Sequence, residues 1–223
     1  MNLKVLIVTA TPAESASVRN IKGIVPSEEG FRIGNCAAYL IVTGVGSVAT
    51  AWAMKQWLSM NYRPDLILNA GIAGSYREDI VAGDLVMPLT DCFADLGVET
   101  PDGFMTLSEA GLREPGQPPF RMIASNRFTE SAGQYIRPVN AITVNTVTGS
   151  EASQKSLVRK YNPDIETMEG AAFFYICTME DIPFLAVRAV SNKVGPRNRK
   201  EWNIPLALDN LSAGLGELLL KLE

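Results

Sequence analysis

The sequence predicts a single α/β domain, and three observations lead to that class. The chain has 223 residues, 47% of them hydrophobic, which is enough to close one well-packed core. Short apolar runs such as Val5-Leu6-Ile7-Val8 and Phe184 to Val190 are bounded like interior strands. Between such runs lie stretches with helical spacing and helix-start signals. No internal repeat or interdomain linker stands out, so residues 1–223 read as one domain.

In chain order, Leu3 to Thr9 is the first strand. Thr11-Pro12-Ala13-Glu14-Ser15 then starts a helix, with Thr11 as N-cap, Pro12 at the first helical position and Glu14 in the first turn. On spacing alone Glu14 complements the helix dipole. Ala38 to Thr43 is a second strand, followed by Gly44-Val45-Gly46-Ser47 and a helix from Val48 to Met60. That helix shows periodicity through Val48, Ala51, Trp52, Lys55 and Leu58, with Lys55 at the edge of the face. The two glycines make a tight strand–helix turn, or let a ligand approach the backbone; without a third glycine they are no dinucleotide fingerprint.

Asp65 to Ala70 is a third strand running into the turn Gly71-Ile72-Ala73-Gly74-Ser75, whose small residues suit backbone contact with a flat ring or sugar. Asp84 to Pro88, Arg121 to Ala124 and Ala141 to Asn145 are further strands, and Glu151 to Tyr161 is a helix. Residues 95–120, rich in Gly, Pro and polar side chains, exceed an ordinary connection and read as a lid or an interface arm. Leu211, Leu215, Leu218 and Leu222 line one face of a terminal helix.

The stretch from Asp164 to Asn192 organises the functional reading. Glu169 opens a helical apolar run, Phe173 to Met179, and Phe184 to Val190 is an interior strand closing on Ser191-Asn192. Parallel sheets bind ligands outside the carboxyl ends of their strands, which is where Ser191, Asn192 and Glu169 would stand. The basic loop beyond them, with Arg197, Arg199 and Lys200, reads by default as solvated.

Composition removes several functions. A formal charge of −4 gives no basic footprint for nucleic acid. No run reaches membrane-spanning length, and the first residues read as a strand rather than a signal peptide. Cys36, Cys92 and Cys177 lie far apart and outside C-x-x-C spacing, which fits a reducing cytoplasm. There is no histidine. That excludes Ser-His-Asp, Cys-His and H-E-x-x-H chemistry together, leaving acid–base work to carboxylates, lysine, tyrosine or an arranged water. No metal site and no cofactor are expected.

Four motifs in order, Thr11-Pro12-Ala13-Glu14, Gly71-Ile72-Ala73-Gly74, Glu166 to Ala172 and Arg188-Ala189-Val190-Ser191-Asn192, resemble the nucleoside phosphorylase/nucleosidase superfamily. Within it the chain is similar to the futalosine hydrolase family, with the 5′-methylthioadenosine/S-adenosylhomocysteine nucleosidases as near relatives. The resemblance implies a three-layer αβα fold around a mixed, partly closed central sheet, a homo-oligomer, and a small purine nucleoside as substrate. It implies that Glu14 activates water, that Glu169 binds the ribose hydroxyls, that Met168 packs the sugar, and that Ile72, Ala73, Gly74 and Ser191 line the substrate. A carboxylated substrate tail, also implied, makes Arg197 and Arg199 its candidate partners.

Asn192 stands where the adenine-specific relatives carry an aspartate. Adenine offers an acceptor at N7 beside a donor amine, whereas a 6-oxopurine offers two acceptors, N7 and O6. A protonated carboxylate suits the first edge and an amide NH₂ the second, so the resemblance and Asn192 together point to release of hypoxanthine from futalosine. Three rivals remain at this level: an adenine-nucleoside nucleosidase, a phosphorylase, and a non-catalytic nucleoside-binding protein. The phosphorylase would meet Glu14 at the elbow and Asn69-Ala70 before Gly71 where phosphate-holding arginines are wanted.

Overall fold

The computed structural model describes residues 2–27, 30–101, 103–114, 116–119, 122–196 and 198–222. The first half runs β1 (Leu3–Thr9), α1 (Pro12–Arg19), β2 (Val25–Ser27), β3 (Gly30–Ile33), β4 (Cys36–Val42), α2 (Ser47–Met60), β5 (Leu66–Ser75) and β6 (Leu85–Asp91). A hairpin follows, β7 (Gly97–Thr100) and β8 (Gly103–Thr106), then β9 (Met122–Ile123), α3 (Arg127–Ala132) and β10 (Arg137–Thr143). The last part is α4 (Glu151–Tyr161), β11 (Ile165–Thr167), α5 (Gly170–Met179), β12 (Phe184–Lys193) and α6 (Ile204–Lys221).

Strands β4, β1, β5 and β12 lie side by side in parallel. Burial on both faces explains their nearly continuous apolar sequences. Val5 and Ile7 face Val18 of α1 and Leu211, Leu215 and Leu218 of α6, while Leu6 and Val8 face Met54 of α2 and Phe173 and Phe174 of α5. Period-two alternation thus serves two helical layers, giving the αβα arrangement.

Beyond β12 the sheet becomes mixed and curls. β12 pairs antiparallel with β6, β6 parallel with β10, β10 parallel with β11, and β11 returns antiparallel onto the end of β5. The five strands enclose Ala73, Val86, Val139, Ala141, Ile165 and Val190. The central sheet is therefore mixed and partly closed, as expected. The terminal leucines Leu211, Leu215, Leu218 and Leu222 are all buried on one face.

Three expectations need correction. Gly71 to Gly74 is not a turn but the continuing strand β5, held by β12 on one side and β11 on the other. Helix α2 is rotated from the expected face: Val48 and Trp52 are 83% and 71% exposed, and Thr50 and Met54 are buried. Apolar residues populate both sides of α2, so spacing could not choose the side that packs on α5. Residues 95–120 are not structureless, because β7 and β8 pair antiparallel from Gly97↔Thr106 to Thr100↔Gly103. Lys160 of α4 fastens this hairpin, donating to the Phe104 carbonyl (2.9 Å) and Glu109 Oε2 (2.6 Å).

Candidate active site

The carboxyl ends of β1, β4, β5, β11 and β12 converge on a cavity of about 210 Å³ whose lining includes Glu14, Glu166, Met168, Glu169, Ser191 and Asn192. Ile72, Ala73 and Gly74 form its floor, and Val45, Val147, Thr148, Val194 and Trp202 complete the wall. A second cavity of about 230 Å³, between the hairpin and α4, holds none of these carboxylates.

Glu14 occupies the third position of α1 and closes a capping box with Thr11. Its Oε2 accepts from Ala10 N (3.1 Å), Thr11 N (2.9 Å) and Thr11 Oγ1 (2.9 Å). Capping does not exhaust it, since Oε1 reaches across to accept from Ile72 N of β5 at 3.1 Å. A Cβ at position 71 would lie 2.7 Å from that same oxygen, so only glycine there lets the carboxylate seat against the strand.

Glu169 is the N-cap residue of α5 and does not cap it with its side chain. Instead its Oε1 accepts from Gly46 N at 2.8 Å. Gly46 reaches this position with φ +96°, a conformation that favours glycine, so the Gly44–Ser47 stretch is both a tight turn and a donor to the site. Burial raises the Glu169 carboxyl above its usual range, with the Gly46 N–H and Arg188 opposing the shift and the Glu14 charge adding to it.

Arg188, inside β12 and 2% exposed, supplies the compensating charge. Its guanidinium donates to the carbonyls of Asn69 (3.0 Å) and Val187 (3.1 Å) and to Asn69 Oδ1. Burial lowers its pKa, and Glu169, Glu14 and Asp91 act in the opposite sense. Asn69 thus holds a buried cation beneath the cavity. Spacing gave no signal for this, because both residues sit within apolar strands.

Asn192 faces the cavity through a bulge. Val190 pairs with Ala73 and Asn192 with Gly74, leaving Ser191 as the extra residue. Ser191 Oγ donates to Asn192 Oδ1 (2.7 Å), and Asn192 Nδ2 donates to the Lys193 carbonyl (2.8 Å). Because that carbonyl can only accept, the amide orientation is fixed and one N–H of Nδ2 stays available.

Arg199 lies exposed in a short 3₁₀ turn and does not line the cavity; Arg197 is outside the described residues. Sequence reading did not single out Glu166, Thr148, Trp202 or the Arg188–Asn69 pair as site residues. Within its motif Glu166 carries no signal of its own, since a carboxylate in a three-residue strand has no periodic pattern.

Fold and cavity together define the class, an αβα protein of nucleoside phosphorylase-like architecture with paired carboxylates at the parallel strand ends. The Phosphorylase superfamily matches residues 4–219, and the chain belongs to that family. A futalosine hydrolase from Streptomyces coelicolor is 35% identical over 82% of this chain and 79% of its own length. One from Acidothermus cellulolyticus is 34% identical over 98% of this chain and 91% of its own length. The fold is also that of an S-adenosylhomocysteine nucleosidase from Streptococcus pyogenes in complex with 5-methylthiotubericidin, with a TM-score of 0.82 at 19% identity over 100% of this chain and 98% of the other.

Below the cavity, Asp91 at the end of β6 is 1% exposed. Its Oδ1 accepts from Thr143 Oγ1 (2.9 Å), and among the described residues Oδ2 has no partner. Thr143 Oγ1 also receives Ala171 N (2.7 Å), and Thr167 Oγ1 receives Gly170 N (3.1 Å), so the first amides of α5 end on this threonine pair. Burial pushes the Asp91 carboxyl up to about 7, against the Thr143 bond and the Arg188 charge. A carboxyl raised on folding contributes stability that is present below its unfolded pKa and lost as pH rises through the folded one. The parent protein should therefore lose stability between about pH 4 and pH 8, by up to roughly 4 kcal/mol from this group. Asp91→Asn should flatten that slope in thermal melts at pH 5 and pH 8; an unchanged slope would remove Asp91 as its source.

Proposed function

We propose that the chain is a nucleosidase that hydrolyses the N-glycosidic bond of futalosine, releasing hypoxanthine and dehypoxanthine futalosine in menaquinone biosynthesis. The observation that carries this reading is Asn192, a neutral amide with a free N–H beside Gly74, in a cavity that also holds Glu14 and Glu169. The naming of the relatives at 34% and 35% identity supports the same substrate.

Departure of the base leaves an oxocarbenium-like sugar, which needs negative charge nearby, a base for water and donors to the leaving group. Three donors from Ala10 and Thr11 anchor Glu14 through Oε2 and Ile72 N holds Oε1, which retains capacity for a water proton. Glu169 Oε2 serves the ribose hydroxyls while Gly46 holds Oε1, and Met168 packs the sugar. Arg188 offsets part of the carboxylate repulsion from below without reaching the substrate. Asn192 donates to the 6-oxopurine edge, stabilising the departing base by hydrogen bonding. No lysine or arginine is among the described residues lining the cavity, which favours water over phosphate as nucleophile.

Val45 at the cavity mouth and Val48 and Trp52 on the outer face of α2 form an exposed apolar strip. It suits a second copy of the chain, and the active form is accordingly a homo-oligomer; a monomeric mass in sedimentation would contradict this. Three free cysteines fit a cytoplasmic site of action, and among the described residues no helix is long and apolar enough to cross a membrane.

Hypoxanthine release from futalosine in phosphate-free buffer with chelator tests the assignment. Glu14→Gln should keep the fold and lower turnover by roughly two to four orders of magnitude, the range for a lost general base. Ribose-phosphate products, or parent-rate turnover by the variant, would refute the water mechanism. An adenine-nucleoside substrate is the second reading, in keeping with relatives of 28% and 27% identity named as 5′-methylthioadenosine/S-adenosylhomocysteine nucleosidases. Asn192→Asp should shift relative kcat/KM toward adenine nucleosides. A parent protein that cleaves methylthioadenosine faster than futalosine would establish the second reading instead.

A further inference from the structure

We infer that Glu166 selects the 6-oxopurine by accepting its ring N1–H across the cavity from Asn192. This deepens the futalosine reading, from which it takes the identity of the base. Closure of the sheet makes the juxtaposition. Gly74 of β5 pairs with Glu166 of β11 on one side and with Asn192 of β12 on the other. In-register neighbours share a face of the sheet, so Glu166, Gly74 and Asn192 form a row of two polar side chains flanking a gap. Two strand spacings separate the outer residues by about 10 Å. The adjoining residues Ala73, Ile165 and Val190 point the other way, into the enclosed core. A Cβ at Gly74 would meet Asn192 Nδ2 at 3.4 Å and Val194 Cγ2 at 2.8 Å, so the glycine keeps the floor flat where a ring would lie.

Glu166 is 6% exposed, and its remaining capacity can be counted. Oε2 accepts from Tyr76 Oη (2.6 Å) and Thr148 Oγ1 (2.5 Å), and Oε1 accepts from Thr148 N (3.0 Å). A carboxylate has about four acceptor sites, so one remains on Oε1 in a residue that lines the cavity. It can only accept while ionised. Hypoxanthine carries a donor at N1, next to the O6 that faces an amide such as Asn192, whereas adenine carries an acceptor at N1. Glu166 therefore rewards the first base and opposes the second with like against like. The pairing of Asn192 and Glu166 reads both sides of the oxygen-bearing carbon, which neither residue does alone.

Calorimetric titration of the protein with free bases tests this without relying on turnover. Hypoxanthine should bind 10- to 100-fold more tightly than 1-methylhypoxanthine, which keeps the O6 carbonyl and has no N1–H, as expected for a hydrogen bond to a charged acceptor. The ratio should shrink in Glu166→Gln and approach one in Glu166→Ala, with folding checked by circular dichroism. Equal binding of the two bases by the parent protein overturns the inference, as does an undiminished ratio in folded variants. Should futalosine prove not to be cleaved while the N1 dependence holds, the substrate reading fails and the role of Glu166 stands.

Discussion

The short antiparallel return of β11 onto the end of β5 is the contact on which the site depends. Two residue pairs make it, Ile165↔Ser75 and Glu166↔Gly74, with Tyr76 N donating to the Asp164 carbonyl beside them. Yet it turns a mixed sheet into a closed wall and carries the Thr167-Met168-Glu169 segment over the parallel strand ends, where β1, β4 and β12 deliver their own residues. Ile165 anchors the return from within the enclosed core, so apolar burial holds in place a strand whose other face is polar.

Charge is the second organising quantity. Glu14, Glu169 and Asp91 all act electrostatically on the buried guanidinium of Arg188. One cation cannot neutralise three anions. The structure answers with backbone donors on Glu14 and Glu169 and with the raised pKa of Asp91, which favours the neutral form of the most deeply buried acid. This leaves Glu14 and Glu169 as the charges best placed to meet a developing positive sugar.

How much of this was legible depended on whether a residue's partner lay nearby in sequence. The strand Leu3–Thr9, the elbow at Thr11–Glu14, helix α4 and the leucine face of α6 follow from local spacing and capping, and the structure agrees with each. The side of α2 that packs, the continuation of β5 through Gly74 and the β7–β8 hairpin are set by pairings with distant strands and helices, and spacing could not supply them. In the site, Glu14, Glu169 and Asn192 were visible through motif order, and the cavity brings them together. Glu166 and the Arg188–Asn69 pair stayed hidden, because what distinguishes them is burial and a partner dozens of residues away.

The bulge in β12 has a consequence for how such sites diversify. Since Ser191 is the unpaired residue, identity at the base-facing position is set by strand offset as well as by the side chain. Removing the offset would bring Ser191 opposite Gly74 and turn Asn192 away, exchanging an amide for a hydroxyl with no codon at either position altered. Length variation in this strand is thus a route to new base preference, separate from point substitution.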